Sequence, residues 1–392
     1  MVKSKWKEYL LRDIGIFRKG SGISRDESQT GTIPAVRYGE IYTTHHNYVR
    51  QYKSHISEEV ARRALQVRYG DILFACSGET KEDIAKCVAI VDEKEVYAGG
   101  DIIVLSPTVK TNPIFLGYIL NTADVIRQRA QLAQGDAIVH ISVSAIQSIV
   151  ITMPEYEEQC SIATALSDID ALITNLEKLI AKKKAIKQGA MQELLTGKQR
   201  LPGFDGQWEE QTMDAYVDFQ VGFPFASSYF NQDSNGVRLI KNRDLKSDDQ
   251  VYYTTESCPD GYFVENGDVL IGMDGDFLPC LWKKGTALLN QRVGRILPKE
   301  NMVGLFAYYA FQKPLSLLQE GTGATTVKHL SHGDIKKIQI PMPPTIDEQN
   351  VIANLLTDMD AEIEKYIKKL IKYQNIKCGM MSELLTGRIR LV

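Results

Sequence analysis

The sequence predicts an α+β chain. Two mixed α/β domains are each followed by a long helix, and the two helices pack as an antiparallel coiled coil about a pseudo-twofold axis. Three observations predict it. A 43-residue segment recurs at an offset of 190, each copy carries a heptad seam, and the stretches ahead of the copies are rich in short β-type runs broken by turn residues.

The repeat comes first. Segments 159–201 and 349–391 align without a gap and share 21 of 43 positions, among them Gln159/Gln349, Asp168/Asp358, Asp170/Asp360, Gly189/Gly379 and the run Glu193–Gly197 against Glu383–Gly387. Weaker matches precede them in the same order: Trp6 with Trp208, Val36-Arg37 with Val237-Arg238, Gly70–Leu73 with Gly267–Leu270, and His140-Ile-Ser142 with His329-Leu-Ser331. This divides the chain into a first variable domain (1–153), a central shared region (154–205), a second variable domain (206–342) and a C-terminal shared region (343–392). With 392 residues the chain is too long for one ordinary core and suits two.

Each shared region reads as one helix. Apolar residues step by 4 and 3 through Ile162, Leu166, Ile169, Ile173, Leu176 and Ile180, and again through Ile352, Leu356, Met359, Ile363, Tyr366 and Leu370. Pro154 and Pro343-Pro344 bar an earlier start, and Gly197 and Gly387 mark the stops. Each helix is therefore some forty residues, roughly 60 Å long. Equal seams invite the helices to pair. Gly189 and Gly379, costly inside a helix, are expected where the two backbones approach closely. Lys182-Lys183-Lys184 and Lys187 read as a solvated face.

The variable domains carry β-type runs at 71–75, 88–91, 102–105, 269–271, 293–297 and 338–340, separated by turn signals such as Ala98-Gly-Gly-Asp101 and Glu265-Asn-Gly-Asp268. Each has one late helical patch, 113–132 and 302–319. Irregular, largely antiparallel sheets are the expectation. Hydrophobic residues are 44% and charged residues 24%, and no window holds eighteen uncharged apolar residues, so a membrane-spanning helix is not expected. The N-terminus shows no apolar stretch of a secretory signal. The six cysteines form no CxxC pair, which argues against a zinc ribbon and for reduced thiols in a cytoplasm.

The formal net charge is −3, so a nucleic-acid binder of this composition must concentrate its positive charge locally. Basic, aromatic and amide residues do cluster in particular loops. Candidate nucleic-acid contacts are Ser21, Arg37, Tyr38, Arg50, Lys53 and His140 in the first domain. In the second they are Arg238, Lys241, Asn242, Arg243, Thr325, Thr326, Lys328 and His329. Lysine and arginine hold phosphates, arginine and asparagine read base edges, and glycine–hydroxyl loops at Ser21-Gly22 and 321–326 bring backbone N–H groups close to a phosphate.

Catalytic signatures are absent. There is no P-loop. Asn112-Pro-Ile-Phe115 lacks the second proline of an amino-methyltransferase loop, has no counterpart in the other half, and reads as a helix start. His329-x-x-His332 has only one matched histidine, so no metal site is expected. Asp168/Asp170 and Asp358/Asp360 lie on different helix faces and form no acid/base dyad.

Taken together, the P-x-x-x-E-Q motif (Pro154/Glu158/Gln159 and Pro344/Glu348/Gln349), the heptad helix and the Leu-Leu-Thr-Gly ending with its following Arg-Leu resemble the specificity subunits of type I restriction–modification systems. The resemblance covers essentially the whole chain. It implies two target-recognition domains on double-stranded DNA, antiparallel helices between them, docking of two methylation subunits that carry S-adenosylmethionine, and restriction subunits joining the complex. It implies no cofactor on this chain and no catalysis by it. Two domains docked on one duplex face favour half-site centres roughly 34 Å apart. A specificity subunit of a type IIB-like system shares the layout. A self-contained methyltransferase is disfavoured by the missing motifs, and a bare coiled-coil scaffold by the two divergent domains.

Overall fold

The computed structural model describes residues 6–135, 138–320 and 329–391. The chain forms two compact units: Met1–Glu177 with Lys369–Val392 (unit 1), and Lys178–Lys368 (unit 2). Each long helix therefore contributes to both.

In unit 1 a five-stranded sheet runs in the order Gly15–Lys19, Ile102–Pro107, Ile72–Ala75, Cys87–Ala89, Asn47–Tyr48. It is antiparallel until its last pair, which is parallel. A four-stranded sheet runs Ser54–Ile56, Ile33–Val36, Val96–Ala98, Leu65–Val67. Its central pair is parallel, with Val36 opposite Ala98. A ribbon of Lys7–Leu10 and Val150–Met153 ties the two ends of the domain together. The main core joins Leu11, Phe74, Leu105 and Phe115 to Ile162, Ala163 and Leu166 of the first long helix and to Leu384 and Leu385 after the second seam.

Unit 2 repeats this plan with changes. Its four-stranded sheet is Val217–Val221, Val293–Pro298, Val269–Gly272, Pro279–Leu281. Its five-stranded sheet is Phe230–Asn231, Tyr252–Thr254, Val237–Ile240, Ala287–Leu289, Phe263–Val264. Glu209–Thr212 pairs with Gln339–Met342 as the closing ribbon. Met191 and Leu194 from the first long helix and Ile352, Ala353 and Leu356 from the second enter its core.

The sheets are largely antiparallel, as expected. Three details differ from the sequence reading. Each late helical patch is two helices. Pro113–Ile119 precedes Ala123–Leu132, and Gly304–Ala310 precedes Gln312–Glu320. Pro314, in the first turn of the last of these, has no N–H for Ala310 and so divides that patch. Secondly, Val36-Arg37 corresponds to Ile240-Lys241, not to Val237-Arg238. Val36 and Ile240 both end a parallel pair, opposite Ala98 and Leu289. Each is followed by a short helix, Tyr38–Thr43 or Asn242–Leu245, whose third residue caps it, with Glu40 accepting from Arg37 N at 3.2 Å and Asp244 from Lys241 N at 2.7 Å. Thirdly, Asn112-Pro-Ile-Phe115 does have a counterpart, Val303-Gly-Leu-Phe306, at the start of the equivalent helix.

The long helices are Tyr156–Leu194 and Ile346–Leu384, 39 residues each. Gly197 and Gly387 adopt φ of +68° and +67° at their ends. On the seams Ile162, Leu166, Ile169, Leu176, Ile180, Ile352, Leu356 and Ile363 are buried, and Ile173, Met359, Tyr366 and Leu370 half-buried. Gly189 and Gly379 mark no close approach: a Cβ added to either meets open space. Nor is the lysine run wholly solvated, since Lys183 pairs with Glu362 at 2.7 Å and Lys187 with Asp360 at 2.5 Å.

Candidate nucleic-acid interface

In unit 1 one end of the two sheets gathers the ends of Gly15–Lys19, Ile33–Val36, Ile72–Ala75 and Val96–Ala98 and the start of Ile102–Pro107. Backbone bonds lace these ends together: Gly20 N to Ile102 O, Ser21 N to Ala98 O, Gly99 N to Val36 O, and Cys76 N to Asp101 O. Ser21, Arg37, Tyr38 and His140 lie on the segments that adjoin these strand ends. Ser21 is exposed, its hydroxyl donating to Arg63 O at 2.9 Å. Arg37 pairs with no carboxylate among the described residues. His140 lies opposite Ser77 in a short antiparallel pair, and its Nδ1 is 3.0 Å from the Ser77 hydroxyl.

Unit 2 builds the same end with different chemistry. Met273 N donates to Arg292 O and Leu330 N to Met273 O, as Cys76 N does to Asp101 O and Ile141 N to Cys76 O. His329 therefore stands where His140 stands, opposite Asp274, whose Oδ1 is 2.6 Å from His329 Nδ1. Arg292, which the sequence reading missed, occupies the place of Asp101, 3.5 Å from Asp274. Only the backbone correspondence identifies it; nothing in the local pattern around Arg292 marks it out. Lys241 Nζ lies 3.2 Å from the centre of the Tyr252 ring and 4.7 Å from that of Phe230. Burial lowers its pKa. Asn242 donates to Asp274 O at 2.7 Å, and the Arg243 guanidinium lies 5.1 Å from the centre of the Tyr252 ring. This is a cationic, aromatic and amide surface. Thr325, Thr326 and Lys328 lie outside the described residues.

Two arginines singled out from the sequence are engaged elsewhere. Arg238 packs over Trp282, 5.0 Å from its ring centre, and pairs with Asp248 at 2.6 Å. Arg50 reaches the first long helix, bonding Asp170 at 2.6 Å and Thr174 at 3.1 Å. Lys53 is exposed beside the strand Ser54–Ile56.

The frame beneath these ends is held by motif residues. Glu158 accepts a two-pronged bond from Arg390, both distances 2.5 Å, in unit 1. Glu348 accepts the same fork from Arg200 in unit 2, at 2.6 and 2.8 Å. Gln159 accepts from Asn112 N at 3.0 Å and Gln349 from Val303 N at 2.8 Å, each serving the start of the helix packed on it. Among the described residues no group of three or more His, Cys, Asp or Glu is placed to hold a metal. No helix among them is long and apolar enough to cross a membrane.

Two candidate binding ends of unlike chemistry, raised on one duplicated frame, are the arrangement of a recognition protein. Residues 3–188 and 221–373 match the family model described as the type I restriction modification DNA specificity domain, and the chain belongs to that family. It is thus a DNA-specificity subunit of the type I restriction–modification kind, the non-catalytic part of such systems. It is 36% identical over 188 residues to the type I restriction enzyme EcoBI specificity subunit of Escherichia coli, a match covering 46% of this chain but only 39% of that subunit. It is 27% identical over 333 residues to the MjaVIII specificity subunit of Methanocaldococcus jannaschii, covering 76% of each. The fold is similar to the crystal structure of a type I restriction–modification S subunit from M. genitalium, with a TM-score of 0.65 at 15% identity over 97% of this chain and 96% of that one.

Proposed function

We propose that each domain reads one half of an asymmetric two-part site in double-stranded DNA. The two long helices form an antiparallel coiled coil about a pseudo-twofold axis. It sets the unread gap between the half-sites and docks two methylation subunits, with restriction subunits completing the assembly in the cytoplasm. S-adenosylmethionine belongs to the methylation subunits, not to this chain. The observation that carries the reading is the pairing of Glu158 with Arg390 and of Glu348 with Arg200. Adding 190 to Glu158 gives Glu348, and subtracting 190 from Arg390 gives Arg200. Asp170–Lys377 and Asp360–Lys187 obey the same exchange. Residue numbers fall on one helix as they rise on the other, which is what an antiparallel exchange of two equal halves requires.

On this reading Ser21, Arg37, Tyr38 and His140 contact one half-site, and Lys241, Asn242, Arg243, Arg292 and His329 the other. Asp101 and Arg292, at equivalent places with opposite charge, give the two ends different preferences. The test replaces residues 206–338 with the corresponding domain of another family member and maps the methylated motif in cells that supply the cognate methylation subunit. One half-site is expected to change while the other half and the gap stay. Changes in both halves would overturn the modular reading.

A further inference from the structure

Asp170, only 5% exposed, is the meeting point of three elements. Its Oδ2 accepts from the Tyr118 hydroxyl at 2.5 Å and from Arg50 at 2.6 Å, and its Oδ1 faces Lys377 Nζ at 2.6 Å. Tyr118 comes from the recognition-domain helix Pro113–Ile119, Arg50 from the loop after the edge strand Asn47–Tyr48, and Lys377 from the second long helix. In unit 2, Asp360 accepts from Tyr309 at 2.8 Å and faces Lys187 at 2.5 Å. The lysines also lie over the same rings, Lys377 at 5.9 Å from Tyr118 and Lys187 at 5.2 Å from Tyr309. Burial, followed by the hydrogen bond to Asp170, raises the Tyr118 pKa; burial raises that of Tyr309. Both phenols therefore remain O–H donors.

We infer that Asp170 with Tyr118, and Asp360 with Tyr309, are positioning residues that fix the angle at which each recognition domain is presented on the helices. They thereby set how strictly the gap between half-sites is enforced. The inference rests on the proposed two-part reading. The physical reason is directionality. Apolar packing between a domain and a helix permits small rotations at little cost, whereas a short, directed bond to a carboxylate does not, and the carboxylate is buried at Asp170 and half-buried at Asp360. A buried ion pair is weak as a source of stability, and fixing one arrangement is the better reason for retaining it.

The two locks are unequal. Unit 1 admits the strand Asn47–Tyr48 because residue 117 is glycine; a Cβ there would collide with Asn47 O. The strand brings Arg50 to Asp170 as a third donor. Unit 2 has Tyr308 at the equivalent helix position. Among its described residues there is no such strand, and no arginine reaches Asp360. The second lock has two donors where the first has three.

The experiment uses the full chain with Tyr118→Phe or Tyr309→Phe, assembled with its methylation subunits. Methylation is measured on a DNA library carrying both half-sites at the normal gap and at gaps one base pair longer or shorter. The ratio of off-gap to normal-gap methylation is expected to rise about tenfold for Tyr309→Phe, as for loss of one hydrogen bond to a charged group, and by less for Tyr118→Phe. Both half-site sequences should stay those of the unaltered chain, and the melting temperature should fall by only a few degrees, leaving the complex folded at the assay temperature. A folded variant with an unchanged ratio would overturn the inference, as would a variant that alters a half-site sequence. Should the unaltered complex methylate no gapped two-part site at all, the proposed function itself fails, and this inference with it.

Discussion

Arg200 and Glu348 form a two-pronged pair, 2.6 Å from Nε to Oε1 and 2.8 Å from Nη2 to Oε2, around a carboxylate with almost no exposure. Trp208 Nε1 adds a third donor at 3.3 Å. Arg200→Ala would strand that carboxylate in the interior of unit 2. A loss of about 3–5 kcal/mol is expected in guanidinium unfolding of this unit, the usual effect of removing one partner from a buried pair. Arg200→Lys should recover only part of it, because an ammonium cannot reproduce the planar fork.

Gly197 and Gly189 lie eight residues apart, with opposite expectations for alanine. Gly197 sits at φ +68° and a Cβ there would press within 2.9 Å of the Trp208 ring. Gly197→Ala should destabilise unit 2 by at least about 1–2 kcal/mol, the cost of a left-handed alanine. Gly189 is helical and faces open space, so Gly189→Ala should stabilise by up to about 1 kcal/mol. Chemical denaturation of the two variants side by side checks both signs.

His45 gives unit 1 a pH dependence. Burial, assisted by His46, Lys86 and Lys53, lowers its pKa to about 4, and its Nε2 has no hydrogen-bond partner among the described residues. The unfolded chain therefore takes up a proton below the ordinary histidine value of 6.5 that the folded unit refuses. This stability is fully present above pH 6.5 and falls away as pH drops toward 4, in total on the order of 3 kcal/mol. His45→Phe should flatten that part of the curve. Stability measured from pH 7.5 to 4 in both proteins isolates the difference, and parallel curves would exclude the imidazole as its source.

Arg37→Ala and Lys241→Ala should weaken DNA binding through different half-sites. If each holds a phosphate, the slope of log affinity against log salt should fall by about 0.9 for each phosphate no longer neutralised. Binding titrations at several salt concentrations, on duplexes with one half-site scrambled, assign each residue to its half. Equal weakening on both scrambled duplexes would contradict the assignment.

The parts of this architecture legible in the sequence are those that repeat or punctuate. The prolines ahead of the seams and the glycine stops bound the helices to within two or three residues, because a proline start and a left-handed glycine each have one structural meaning. Sheet order was not legible. Strands as short as Asn47–Tyr48 carry no pairing information, and the parallel pair of Ile33–Val36 with Val96–Ala98 joins residues some sixty apart. The Glu-Gln motif was visible, but not its partners, since the arginine that holds each glutamate comes from the other copy. Tyr118 and Tyr309 were hidden by the unlike starts of their helices, Asn-Pro against Val-Gly. Of the proposed DNA-facing surfaces, Arg37 and Lys241 stood out by composition. Their equivalence, and the presence of Arg292, emerge only from backbone bonds between strand ends.

The membership of unit 1 has a consequence for biosynthesis. Glu158 waits for Arg390, and Trp6 for the chain reversal at Gly387, against which its ring packs. The segment from Lys369 onward leaves the ribosome about 10–40 s after Glu177, at ordinary elongation rates. During that interval unit 1 is unfinished, whereas unit 2 already has all of its residues once Lys368 emerges. A stop codon within 369–392 would therefore injure unit 1 and spare unit 2.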